Sequence, residues 1–189
     1  AATMAFAASM HAFPGGSDVR ILPDQKRIVG VARFNHGGVP QSFGNYFVIE
    51  FDQPFKSFGV WAPGDVQPGE TSREGEHVGA YVEFDVTQGR VATYRVASSF
   101  ISHEQAKISL NREIGAKSFD EVRVAADAAW NAMLGRIEVE GGTAEQQRTF
   151  YSCLYRTLLF PHKFYELDGD GRKVYYSPYD GKSHEGVMY

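Results

Sequence analysis

Between Asp18 and Ile101 the apolar residues come in short runs, some alternating and some continuous, and Gly, Pro or Asn breaks each run. Runs of this length cannot lay one apolar stripe along several helical turns, but they match the distance over which a strand crosses a sheet. This segment is predicted to be an antiparallel β-sandwich with strands at residues 19–22, 27–34, 46–51, 57–61, 78–86 and 91–99. Between Trp61 and His77, the residues Pro63, Gly64, Pro68, Gly69 and Gly75 predict a polar loop that sustains no ladder. Upstream, Met4, Phe6, Ala8 and Met10 recur at period two, the spacing of a half-buried strand.

Two helices are predicted after the β-rich part, each opened by a capping box in which a Ser or Thr accepts from an orphan N–H and a Glu or Gln reaches back. The first starts at Ser118-Phe119-Asp120-Glu121, places Val122, Ala126, Ala129, Trp130 and Met133 on one broad face, and stops at Gly135. The second starts at Thr143-Ala144-Glu145-Gln146 and runs to about residue 160, where Pro161 cannot continue the ladder. Between them, residues 136–140 alternate like a short strand. Beyond Pro161, residues 165–177 are predicted to form a hairpin that turns at Asp168-Gly169-Asp170-Gly171.

Charge and cysteine content exclude several functions. The net charge is -4, and the basic stretches, Gln25 to Arg27 and Arg172 to Lys173, are short turns, so no stripe of Lys and Arg exists to track a phosphate backbone. No apolar run reaches the length of a transmembrane helix. The chain starts without Met or a cationic leader and is expected to begin within a longer protein. The single cysteine, Cys153, has apolar neighbours in Tyr151, Leu154 and Tyr155, which predict a buried, inert thiol.

Few residues carry a signal of chemistry. Asp168-Gly169-Asp170-Gly171 opens like a calcium loop, but the next alternate position is Arg172, where an oxygen ligand is needed, and a hairpin turn explains the same residues. The six histidines show no close helical pairing of the kind that holds zinc, so no metal site is predicted. Asp180 and Glu185 are isolated acids in turn-like settings, whereas glycoside hydrolysis normally needs two carboxyl groups flanking one bond, and no catalytic residue is assigned. The candidates for sugar contact are Trp61, ending a strand, the aromatic Tyr179, and His36, which precedes Gly37-Gly38. Each also has a plain structural role, as core packing for Trp61, a seam for Tyr179 and a loop for His36.

Four runs taken together resemble glycoside hydrolase family 92. They are Asn45-Tyr46-Phe47-Val48-Ile49-Glu50-Phe51, Arg136-Ile137-Glu138-Val139-Glu140-Gly141-Gly142-Thr143, Leu154-Tyr155-Arg156-Thr157-Leu158-Leu159-Phe160-Pro161 and Tyr176-Ser177-Pro178-Tyr179-Asp180-Gly181. The resemblance covers residues 13–189 and implies calcium-dependent, inverting removal of terminal α-mannose from mannose-rich glycans. It also implies an N-terminal β-sandwich, a helical linker and an (α/α)6 barrel.

Mapped onto this chain, the fold class is mainly β with α. An incomplete antiparallel β-sandwich spans 1–115, a two-helix linker 116–161, and the start of the barrel domain 162–189. The resemblance further implies that the catalytic carboxylates and calcium ligands lie downstream of Tyr189, so this piece alone is expected to be inactive. Its partners would be mannose-containing glycans and the missing barrel, and its location periplasmic, surface-attached or secreted in a bacterium. The alternative is a non-catalytic carbohydrate-binding or structural β-sandwich module.

Overall fold

A computed structural model describes residues 3–11, 16–33, 39–87, 89, 91–159 and 163–189. The chain divides into two compact units, a body of Ala1–Glu113 with Tyr165–Met188 and a helical unit of Ile114–Phe164.

The body is built on two antiparallel sheets. One orders β1 (Thr3–His11), β8 (His77–Asp85), β5 (Ser57–Ala62) and β6 (Asp65–Pro68). The other orders β7 (Ser72–Gly75), β2 (Ser17–Leu22), β3 (Arg27–Ala32), β4 (Asn45–Phe51) and β9 (Tyr94–Ser99). Alternation decides which side chains meet between them, because successive residues of a strand point to opposite faces. Val60, Val78, Ala80, Val82 and Phe84 from the first sheet join Val19, Ile21, Ile28, Ile49 and Phe51 from the second in one buried cluster. Phe51 and Phe84 pack with ring centroids 5.4 Å apart, and Phe6 of β1 meets Phe51 edge-on at 5.2 Å. Phe6 and Ala8 thus bear out the period-two reading of the first strand.

The predicted strands are all present with ends shifted by up to three residues; Phe34, at the end of one of them, lies outside the described residues. The expected loop between Trp61 and His77 is a correction, since it holds the edge strands β6 and β7. Pro63-Gly64, with Gly64 at φ 78°, turns the chain straight from β5 into β6. Gly69, at φ 81°, carries it across to the other sheet, where β7 pairs with β2. An edge strand needs a partner on one side only, so Pro68 at its end is tolerated.

The helix α1 (His103–Glu113) was not predicted. It packs on the outer face of the second sheet against β4 and β9, and buries Ala106 and Leu110 there. Gln105, also buried, donates to Leu167 O at 2.7 Å and ties α1 to a small third sheet. This sheet orders β10 (Glu166–Leu167), β11 (Lys173–Ser177) and β12 (Lys182–Glu185). Phe100 N–H donates to Glu166 Oε1 at 2.8 Å, and Ser42 and Tyr176 share a hydroxyl hydrogen bond of 2.6 Å. The last two dozen residues of the body therefore pack against its first hundred.

The helical unit consists of α2 (Phe119–Leu134) and α3 (Ala144–Leu158). Both capping boxes are formed: Ser118 accepts from Glu121 N–H while the Glu121 carboxylate accepts from Ser118 N–H, and Thr143 and Gln146 repeat the exchange. Gly135 closes α2, as expected. Pro161 lies outside the described residues. Trp130 and Tyr155 pack with centroids 4.6 Å apart, yet no residue of either helix is buried.

Two expectations fail in this unit. Residues 136–140 form no strand; they are a turn and an irregular segment, and the Ile137 carbonyl accepts from Tyr151 Oη at 3.1 Å. Cys153 is exposed. The half-buried stripe of α3 is Gln147, Tyr151, Leu154 and Leu158, and at about 100° per residue Cys153 turns away from it.

Candidate functional site

Trp61 lies on the outer face of the first sheet, opposite the inward Val60. Its cross-strand partner is Gly79, and the indole lies so close over that glycine that a Cβ there would come within 2.4 Å of the ring. Two residues along, the arrangement is reversed: Tyr81 pairs with Gly59, where a Cβ would meet the phenol ring at 2.7 Å. Each aromatic side chain thus occupies the space that a glycine leaves on the neighbouring strand, and both rings are half-buried. His77 meets the indole edge-on at 5.3 Å.

Tyr179 occupies the turn between β11 and β12 and is 90% exposed. Its N–H donates to Ser177 Oγ at 3.3 Å, and Gly181, at φ 70°, lets the turn approach Pro40 and Ser42. Next to it, Asp180 Oδ2 and His184 Nε2 are 2.8 Å apart, and His184 stacks on Tyr175 at 5.5 Å. Loss of hydration alone would raise the Asp180 carboxyl. Bonds from Ser177, His184 and the Lys182 N–H outweigh it and hold the group below the usual carboxylate range. In sequence Asp180 reads only as a turn residue; its pairing with His184 depends on the hairpin, which the spacing of the histidines from one another does not show. Trp61 lies in the first sheet and Tyr179 in a turn of the third, and His36 lies outside the described residues.

The Asp168–Arg172 turn does not suit calcium. Asp168 Oδ1 accepts from the N–H groups of Asp170 and Arg172, while its Oδ2 accepts from Arg172 Nε at 3.0 Å. Asp170 Oδ2 is bound by Arg172 Nη2 at 2.9 Å. The guanidinium sits where a cation would be held, and both carboxylates are turned to it. The Arg172 N–H and side chain hold the Asp168 carboxyl below its ordinary range. Among the described residues, no cluster of three or more His, Cys, Asp or Glu could hold a metal. Nor is any helix there long and apolar enough to cross a membrane.

A two-sheet antiparallel body with a short helix on the outer face of its second sheet and a small C-terminal three-stranded sheet defines the class of fold, mainly β with α. Family models make the class specific: the glycosyl hydrolase family 92 N-terminal domain matches residues 3–99, and the glycosyl hydrolase family 92 catalytic domain matches residues 105–189. The chain belongs to glycosyl hydrolase family 92.

Among solved structures, an inverting mannosidase of family GH92 from Bacteroides thetaiotaomicron is 49% identical, with a TM-score of 0.88 over 93% of this chain and 24% of its own. A GH92 α-mannosidase from the same organism, solved with mannoimidazole, shares the fold at 20% identity, with a TM-score of 0.74 over 91% of this chain and 22% of its own. An uncharacterized secreted glycosidase of Arthroderma benhamiae is 34% identical over 93 residues, which is 46% of this chain and 12% of the relative. The chain thus spans about a quarter or less of the relatives it matches.

Proposed function

We propose that this chain is part of an exported α-mannosidase that removes terminal α-mannose from mannose-rich glycans with inversion of configuration and with calcium. The observation that carries the reading is the 49% identity, over 93% of the chain, to an inverting mannosidase. Export is supported by the likeness to a secreted glycosidase, and a periplasmic, surface-attached or secreted location fits it equally.

On this reading residues 1–115 form a sandwich wall, 116–161 a linker that already falls within the catalytic-domain match, and 162–189 the approach to the barrel. An inverting glycosidase needs a general acid and a general base roughly 6.5–9.5 Å apart, with water between base and sugar. Asp168, Asp170 and Asp180 are committed to Arg172, Ser177, Lys182 and His184, so none is assigned either role. The acid, the base and the calcium ligands belong to further sequence of the enzyme.

The test compares hydrolysis of aryl α-mannosides by this chain and by a form extended through the downstream barrel, each with and without calcium. Activity confined to the extended, calcium-loaded form is the expected result. Turnover by the 189-residue chain that survives chelation and purification would overturn the assignment of roles. A second reading, carbohydrate binding without hydrolysis, draws on Trp61 and Tyr81, whose rings lie along an outer sheet face as sugar-stacking rings do. Inactivity of the extended form would favour it.

A further inference from the structure

The second sheet is crossed on its outer side by α1, whereas no helix makes comparable contact with the strands of the first. The register of the first sheet sets two neighbouring cross-strand rows on its outer face. One holds Ala7, Tyr81, Gly59 and Pro68, and the other Gly79, Trp61 and Val66; none of these residues carries a charge. Ala7 and Val66, on the two flanks, are exposed. We infer that this face is a platform, separate from any catalytic centre, for a neutral oligosaccharide, with successive pyranose rings on Trp61 and Tyr81.

The posture of the rings is the first argument. A Cβ on Gly79 would come within 2.4 Å of Trp61 Cε2, and one on Gly59 within 2.7 Å of Tyr81 Cε1 and of its Oη. The far end of each side chain, and not only its root, therefore rests on the neighbouring strand. Side chains usually stand up from a sheet; these two lie across it, with one ring face on backbone and the other turned away. His77 abuts the indole at 74° and walls that end of the platform. A pyranose ring presents a flat face of C–H groups, which such a ring face matches.

Polarity is the second. Among the described residues, neither Trp61 Nε1 nor Tyr81 Oη has a hydrogen-bond partner, and neither atom is buried. Each ring thus joins an apolar face to a wet polar tip. A sugar is built the same way, apolar on its face and hydroxylated at its edge. An alkyl chain would leave the tips unused, and a phosphate backbone would need cations that the two rows lack. Charge begins in the next row with Glu83, whose carboxylate accepts from Ser57 Oγ.

Spacing is the third. Trp61 faces Gly79 across the strands, and Tyr81 lies two residues further along β8, so the two aromatic residues are diagonal neighbours. Such neighbours stand about 7 Å apart. One sugar ring cannot lie on both, but two linked units can, so affinity should rise with chain length.

The test titrates this chain with α-linked mannotriose and with methyl α-mannopyranoside, in a Trp130→Phe background that leaves Trp61 as the only indole. Mannose as the sugar rests on the proposed function; no turnover is measured, so failure here leaves the hydrolysis test untouched. A saturable change in Trp61 fluorescence is expected, with the triose at least about tenfold tighter than the monosaccharide because its second contact is intramolecular. Tyr81→Leu removes one ring, and Val66→Lys sets a charge beside the other from an exposed edge position, where lysine is well tolerated. Each is expected to weaken triose binding at least about tenfold, while Tyr179→Ala, in the turn of the third sheet, leaves it unchanged. Absence of a saturable change, equal affinity for the two sugars, triose binding that survives both substitutions, or its loss in Tyr179→Ala would overturn the proposal. So would self-association in sedimentation that Val66→Lys abolishes, which would give the face to a second copy of the chain.

Discussion

The body and the helical unit come from one chain but are held together differently. In the body, ten residues of two facing sheets and the adjoining Val86 form a continuous buried cluster, and Ile28, Val60, Val78, Ala80 and Val82 have no exposed surface. In the helical unit, Phe119, Val124, Ile137 and Leu159 are 75%, 57%, 47% and 51% exposed, and the order of α2 and α3 rests on capping boxes, the Trp130–Tyr155 contact between them and local hydrogen bonds. Burial gives stability in proportion to the apolar area removed from water, whereas caps contribute about 1 kcal/mol each. Similar local signals thus produce a cooperative core in one region and a pair of helices with little hydrophobic anchorage in the other. Trp61 reports on the first region and Trp130 on the second, which allows the two to be melted separately.

The largest effect is expected at the core. Phe84→Ala removes a ring packed against Phe51 and Phe55 and should destabilise the body by about 3–5 kcal/mol. Urea unfolding followed by Trp61 fluorescence in a Trp130→Phe background measures it, and an unchanged midpoint would erase the distinction between the regions.

Glu166→Ala comes next. The carboxylate accepts from Phe100 N–H with Oε1, while Oε2 is buried without a partner among the described residues. Loss of a half-buried hydrogen bond to a charged acceptor should cost about 1–3 kcal/mol, read by the same fluorescence.

The capping substitutions Ser118→Ala and Thr143→Ala should each weaken their helix by about 1 kcal/mol. Trp130 fluorescence should respond while the Trp61 transition stays in place. A joint shift would show that the two units unfold together.

Acid gives the smallest effect. Asp168 and Asp180 have folded-state carboxyls below their ordinary values, Asp168 chiefly through the Arg172 N–H and Asp180 through Ser177, His184 and Lys182. A depressed carboxyl stabilises the fold above its unfolded value of about 3.9, and that contribution is lost as pH falls through the folded value. The small third sheet should therefore loosen only below about pH 4. Hydrogen exchange at β11 and β12 across this range checks the sign; protection that rises on acidification would contradict it.

Much of this was legible in the sequence because it is local. Strand alternation, the two capping boxes and Gly135 are set by residues within a few positions of one another. The helix α1 also had a local signal, Ser102-His103-Glu104-Gln105, with Gln105 N–H donating to Ser102 Oγ at 3.1 Å. This is the same spacing that marks α3, though in the structure the Gln105 side chain bonds Leu167 O instead of closing the box. The edge strands β6 and β7 were hidden by their Gly and Pro content, which forbids a central strand but not a short outer one. Cys153 was misread from neighbours along the chain when only neighbours around the helix count. The pairing of Trp61 with Gly79 and of Tyr81 with Gly59 needs the register of β5 on β8, which no short stretch of sequence contains.

The proposed inverting α-mannosidase is tested most directly by proton NMR of the first sugar released by the enzyme that carries this chain. With a terminal α-mannoside as substrate, β-mannose should appear first and mutarotate to the α anomer. Release of α-mannose first, or no cleavage of α-mannosides at all, would contradict it.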